Sequence, residues 1–158
     1  MWYSRSMRGF TLIELLVVVS IISIMLAISF GTFSNLQKNS HDAKRKSDFS
    51  LIQSALEQYH ADQHNYPVAE SVGFGGDIGI GTTYSLTSPD SSKTYLKKIP
   101  ADATYTYHYQ PLPDSCDNST LDKSCTKYCL YTNMENSSNG TTVSDCTLTG
   151  YTYAVTSP

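Results

Sequence analysis

Arg8-Gly9-Phe10-Thr11-Leu12-Ile13-Glu14-Leu15-Leu16 places one carboxylate, Glu14, at the start of a run that is otherwise uncharged as far as Phe33. As a helix, the run from Phe10 to Phe33 would rise ~36 Å at ~1.5 Å per residue, enough to cross a hydrocarbon layer of about 30 Å. It reads as a membrane anchor. A carboxylate near the end of such a segment costs at most on the order of 2.5–3.5 kcal/mol on insertion scales, so Glu14 reads as a group waiting for a partner. An ordinary secretory signal peptide has an apolar core of about 7–15 residues and a small-residue cleavage site; this run is longer, contains Glu14 and lacks such a site. In a plain single-span anchor Glu14 would be a cost without a use.

Working outward, Gly9-Phe10-Thr11-Leu12-Ile13-Glu14-Leu15-Leu16-Val17-Val18-Val19 resembles the class III signal of type IV pilins and of the pseudopilins of type II secretion. In that family a prepilin peptidase facing the cytoplasm cuts after the glycine and methylates the new amino terminus. The resemblance implies a leader of residues 1–9, cleavage between Gly9 and Phe10, N-methylation of Phe10, and Glu14 as the membrane glutamate of assembly. The charges around the run do not orient it. Arg5 and Arg8 precede it, whereas Lys38, Lys44, Arg45 and Lys46 follow it, the reverse of a positive-inside pattern. A cytoplasmic leader is implied by the resemblance alone.

Of 158 residues, a leader and an anchor leave roughly 125, room for one modest globular domain. The net charge of −3 would become −5 on loss of Arg5 and Arg8, so bulk charge gives no nucleic-acid footprint. All four cysteines, Cys116, Cys125, Cys129 and Cys146, lie in the last third. An even count in a small exported domain supports two disulfides with three possible connectivities. The local pairing of Cys116 with Cys125 and Cys129 with Cys146 is favoured, the other two staying open; each loop, of roughly 10 to 18 residues, would contribute about 3 kcal/mol in the chain-entropy model. A zinc site is disfavoured because there is no C-x-x-C and no matching histidine pair nearby.

Residues 34–64 begin polar, and Phe49, Ile52, Leu56 and Tyr59 then recur at helical spacing with Ala55 beside them. One continuous helix from about Thr11 to His64 is expected, its first half (10–33) membrane-embedded and its second half (34–64) under a head formed by 65–158, with Asn65-Tyr66-Pro67 ending it. The Ala55-Leu56-x-x-Tyr59 stretch leading into Tyr66-Pro67 resembles the helix end of major pseudopilins and related pilins. Gly31 stands where many pilins have a helix-breaking proline, at a cost of roughly 1 kcal/mol relative to Ala. Gly73 to Gly81 reads as a connector and Thr87 to Lys93 as a turn. Gly79-Ile80-Gly81 lacks the third glycine and preceding strand of a dinucleotide loop. Beyond Pro100, Thr104–Tyr109, Lys127–Met134 and Tyr151–Val155 read as strands, with Tyr105, Tyr107 and Tyr109 on one face and Tyr128, Leu130, Thr132 and Met134 on another. The fold class is α+β: a long N-terminal helix packed against a small C-terminal antiparallel sheet. Tyr95-Leu96-Lys97-Lys98-Ile99-Pro100 resembles the stretch before the sheet in pseudopilins; past Gln110 the resemblance thins.

No G-x-S-x-G, H-E-x-x-H or cysteine–base motif is present, so neither catalysis nor a cofactor is expected. His60 and His64 would share a helix face at metal-binding spacing, but exposed histidines at a helix end are the favoured reading. Asp114, Asp117 and Asp122 lack both the EF-hand spacing and the calcium-loop pattern of major pseudopilins, and read as a solvated acidic loop. Lys44-Arg45-Lys46 could hold DNA phosphates by charge alone, yet Asp42, Asp48 and Glu57 make a solvated helix face the favoured reading, and DNA is not indicated as a partner. Asn118-Ser119-Thr120, Asn136-Ser137-Ser138 and Asn139-Gly140-Thr141 match the glycosylation sequon without an expectation of modification.

The resemblance implies a type IV pilin, a subunit that polymerises through its N-terminal helix into a surface filament for adhesion, motility or DNA uptake. Its partners would be other copies of itself, the prepilin peptidase, and a pilus assembly platform in the bacterial inner membrane, which holds the precursor before it enters an extracellular fimbrium. A pseudopilin of a type II secretion system, building a short periplasmic filament that pushes substrates, is the alternative. The Leu-x-x-Ala-Leu-x-x-Tyr helix favours that alternative; the poorly matched last third and the missing calcium-loop pattern favour the pilus. A membrane-tethered binding module that never polymerises is the third reading, and it leaves Glu14 without a use.

Overall fold

The computed structural model describes residues 9–68, 77–78, 84–146 and 149–158, with backbone alone at 29–32 and 77–78. The chain divides into two compact units, Met1–Gln37 and Lys38–Pro158. Helix α1 occupies Leu12–Gln63 and contributes to both.

In the first unit α1 carries exposed apolar side chains on every face, from Leu12 to Ile28. The two hydroxyls within it are satisfied by the helix itself: Ser20 Oγ donates to Val17 O and Ser23 Oγ to Val19 O, both at 2.8 Å. No single helix among the described residues is long and apolar enough to cross a membrane; Leu12–Ile28 and Phe33–Gln63 meet that test only as a bent pair. Gly31, read as a weak point, lies within α1, where the backbone alone is described.

In the second unit the amphipathic pattern is realised directly. Phe49, Ile52, Ala55, Leu56 and Tyr59 are buried, while Ser40, Lys44, Ser47, Leu51, Ser54 and Gln58 face away from the core. The helix ends by the backbone bond from His64 N to His60 O, with His64 in the left-handed region at φ 61°. Tyr66 N then donates to Cys125 O at 2.8 Å, anchoring the departing chain to the head.

Against this helix lies a four-stranded antiparallel sheet in the order β1 (Asp77–Ile78), β4 (Tyr107–Leu112), β5 (Lys127–Thr132), β6 (Tyr153–Thr156). A separate hairpin pairs β2 (Leu86–Thr87) with β3 (Thr94–Leu96). Central β5 is buried on both faces from Tyr128 to Thr132. Tyr128 and Leu130 join Phe49, Ile52, Leu56, Tyr59, Tyr107 and Tyr109 in the core on α1. Cys129 and Tyr131 form a second cluster with Ala154, flanked by Leu112, Cys146 and Tyr151.

Two expectations shift. The first strand begins at Tyr107 and not Thr104, because the Asp102 carboxylate accepts the backbone N–H groups of Thr104 and Tyr105 at 2.8 and 3.0 Å, folding that stretch into a turn. It then runs through Pro111, which the ladder tolerates because β1 pairs only with Tyr107 and His108 and leaves β4 an edge beyond them. The turn read at 87–93 is the tip of the β2–β3 hairpin, whose strands are too short to show a period of two. The connector read at 73–81 lies outside the described residues apart from Asp77 and Ile78.

Candidate assembly site

At the start of α1, Thr11 and Glu14 form a capping box. Glu14 Oε2 accepts from both Thr11 N and Thr11 Oγ1 at 2.9 Å, and Glu14 N donates back to Thr11 Oγ1 at 3.3 Å. Helix N-termini leave their first N–H groups without partners, and a Thr-x-x-Glu spacing satisfies two of them reciprocally. The reading of Glu14 as a group without a partner is therefore corrected: within one chain its carboxylate is held over the helix N-terminus, next to Phe10. Sequence reasoning missed Thr11, although the T-x-x-E spacing at residues 11–14 is a legible signal. Gly9 has nothing within 4 Å of where a Cβ would stand, and Phe10 is 86% exposed, so the bond between them is open to approach.

In the second unit the basic triplet divides. Lys44 and Lys46 are exposed, but Arg45 is 1% exposed, which corrects both readings of Lys44-Arg45-Lys46 as a continuous charged face. The i−3 spacing puts Asp42 on the same face, and Arg45 Nη1 donates to Asp42 Oδ1 at 2.7 Å. Arg45 Nη2 reaches Asp102 Oδ1 at 3.2 Å and Glu135 Oε1 at 2.7 Å, and the guanidinium lies 4.7 Å from the centre of the Tyr105 ring. Asp42 also accepts from the backbone of Glu135 and Asn136 and from Asn139 Nδ2. Two remote segments, 102–105 and 135–139, are thus tied to one helical turn.

The charges respond accordingly. Burial by itself raises the carboxyl pKa of Asp42 and Asp102, but their donors outweigh it and hold both below 3.8: Asn139, the Glu135 and Asn136 amides and Arg45 on the first, the Thr104 and Tyr105 amides and Arg45 on the second. Arg45, then His41, hold Glu135 below 4.5. Burial lowers the guanidinium's pKa and the three carboxylates more than restore it.

The cysteines pair locally, Cys116 with Cys125 and Cys129 with Cys146. His60 stacks on Tyr66 at 4.5 Å, while His64 is exposed beyond the helix end. Among the described residues no group of three His, Cys, Asp or Glu side chains is placed to share a metal. Asp114 accepts from Gln110, and Asp117 from Ser119 and Lys123. At all three sequons the asparagine amide nitrogen donates into the fold: Asn118 to Tyr66 O, Asn136 to Asn39, Asn139 to Asp42.

A capped apolar helix in one unit, leading into a helix-backed, disulfide-closed antiparallel sheet in the next, defines a pilin-type fold. The description "Prokaryotic N-terminal methylation motif" matches residues 4–30. Type II secretion system core protein G of Escherichia coli K12 is 30% identical over 95 residues, covering 60% of this chain and 65% of that protein. The protein of that name from Pseudomonas aeruginosa is 31% identical over 98 residues, covering 62% and 68%. Type IV major pilin protein PilA of Myxococcus xanthus is 34% identical over 82 residues, covering 51% and 37%. No solved structure matches. The chain belongs to the family of type IV pilins and type II secretion pseudopilins, and its matches span about two thirds of the length of its secretion-system relatives.

Proposed function

We propose that this chain is a pseudopilin, a structural and non-catalytic subunit that polymerises through its N-terminal helix into the periplasmic filament of a type II secretion system. One observation carries the preference over a surface pilus: the similarity to core protein G runs over 95 residues, far past the motif at 4–30 and into the head. The name recurs among relatives from several bacteria. The pilus reading rests on the poorly matched last third and the missing calcium-loop pattern. That segment is stapled by two disulfides, and its Cys129–Tyr131 cluster lies on the face of β5 away from the α1 core.

In this reading the precursor sits in the inner membrane, the prepilin peptidase cuts the open Gly9–Phe10 bond, and Phe10 is methylated. The capping box supports a division of labour in which Glu14 first satisfies its own helix terminus. On assembly its charge is then available to the amino group of Phe10 on this or a neighbouring copy. Deleting the gene and measuring exported proteins beside sheared surface filaments tests the choice. Exoproteins trapped in the periplasm with pili intact is the expected result. Normal secretion with lost pili would refute it.

A further inference from the structure

In the unit from Lys38 onward, two large hydrophobic side chains among the described residues are left exposed: Leu51 at 49% and Leu121 at 93%. Their settings have opposite charge. Leu121 opens the 3-10 turn Leu121–Lys123 at the tip of the loop that Cys116–Cys125 closes. That tip is held in place: Asp117 N and Asn118 N donate to Lys123 O, Asn118 Oδ1 accepts from Cys125 N at 2.7 Å, and Asn118 Nδ2 donates to Tyr66 O at 2.8 Å. With the loop backbone already fixed, covering this leucine costs only its side-chain freedom. Lys123 is paired with Asp117, which leaves exposed Asp114 and Asp122 to make the loop acidic.

Leu51 lies on the outer ridge of α1, two turns after Lys44 with Ser47 between. Lys44 is exposed and in no ion pair among the described residues, whereas Asp48, between it and Leu51, is half-buried and accepts from the Tyr107 hydroxyl at 2.8 Å, so the outward face of this ridge is apolar and basic. The loop and the ridge are distinct places on the chain, the loop seated at the C-terminal end of α1 and Leu51 about 20 Å back along it at ~1.5 Å per residue. Two different complementary patches on identical subunits make a heterologous contact, which repeats as an open chain. The nearby groove of Val68, Pro111 and Cys116 suits this leucine less, because Asp114 and Asp117 line it with the loop's own sign of charge.

We infer that Leu121, with Asp122 beside it, is the contact by which one copy of this chain docks on the Lys44–Leu51 ridge of a second copy. The inference rests on the filament reading and names the surfaces that reading needs. Charge complementarity supplies orientation and excludes the reversed pairing, and burial of the leucine supplies affinity.

The test places the photocrosslinker benzoylphenylalanine at position 121 of the full chain, in cells whose wild-type chain forms filaments. Crosslinked dimers in the sheared filament fraction, mapping to residues 44–54 of the second copy, are expected. Leu121→Ser should lower filament yield about 10-fold, the loss of one buried leucine converted at ~1.4 kcal/mol per decade. Asp122→Lys and Lys44→Asp should each lower it about threefold, and their combination should restore it. Peptide mapping of Cys116–Cys125 in each variant checks the fold, and the crosslink reads the contact in a chain that still assembles. Filaments that form normally but crosslink elsewhere, or a charge swap that does not restore yield, overturn the contact alone. A wild-type chain that never polymerises overturns the filament reading and the contact with it.

Discussion

Arg45→Met removes the buried cation shared by Asp42, Asp102 and the half-buried Glu135, at Arg45 distances of 2.7, 3.2 and 2.7 Å. Arg45 and Asp42 are almost wholly buried and Asp102 is 8% exposed, so water cannot replace the guanidinium. Removing one partner of a buried ion pair costs about 3–5 kcal/mol, a large share of the ~5–15 kcal/mol that holds a domain together. At roughly 3–6 °C per kcal/mol for a unit of this size, the melting temperature should fall about 10–25 °C at pH 7. The pH dependence gives a sharper signature. In the wild type the three carboxyl groups have lowered folded pKa values, so their stabilisation is present at neutral pH and is lost as pH falls below about 4. Without Arg45 the amide and Asn139 donors still hold Asp42 and Asp102 down, but less strongly, so the variant should lose less stability than wild type as pH falls below about 4. Near-ultraviolet circular dichroism of the full chain in detergent, which 12 tyrosines make sensitive, follows both curves. A melting temperature within 3 °C of wild type at pH 7, or a variant that weakens on acidification in parallel with wild type, would refute the clamp.

Glu14→Gln keeps an acceptor for Thr11 and removes only the charge, so cleavage and helix start should survive while filaments fail; Glu14→Ala should lose both, adding about 1 kcal/mol of lost cap, and equal assembly by Glu14→Gln and wild type would separate the charge from assembly. Intact mass of the mature subunit should begin at methylated Phe10, and Gly9→Val should leave full-length precursor; Met1 on assembled subunits counts against this. Non-reducing peptide maps should join Cys116 to Cys125 and Cys129 to Cys146, and removing either bridge should cost about 3 kcal/mol in chemical denaturation for loops of sequence separation 9 and 17. Burial and then its bond to Glu57 push the Tyr66 hydroxyl up to about 12 from an ordinary 10.0. Its contribution is present below pH 10 and lost as pH rises toward 12, so ultraviolet titration should show late, cooperative tyrosine ionisation.

The amphipathic stripe at Phe49, Ile52, Leu56 and Tyr59 and the apolar run after Glu14 could be read from sequence, because period and composition are local properties. So could the Tyr107 and Tyr109 face of β4, which follows from a period of two, whereas short loops only favoured the local cysteine pairing over two open alternatives. The capping box at Thr11 and Glu14 was equally local and legible, but the cost of a carboxylate beside an apolar run drew the reading toward a distant partner. The second buried cluster under Tyr131 and Cys129 was hidden, because a central strand covered on both faces shows no alternation. Arg45 was beyond sequence altogether. An arginine between two lysines on a polar turn has every local mark of a solvated residue; only the fold brings Asp102, 57 positions away, and Glu135, 90 away, to the same guanidinium. Short-range periodicity thus fixes where helix and strands lie, whereas the fate of a charge depends on which distant carboxylates the packed head delivers to it.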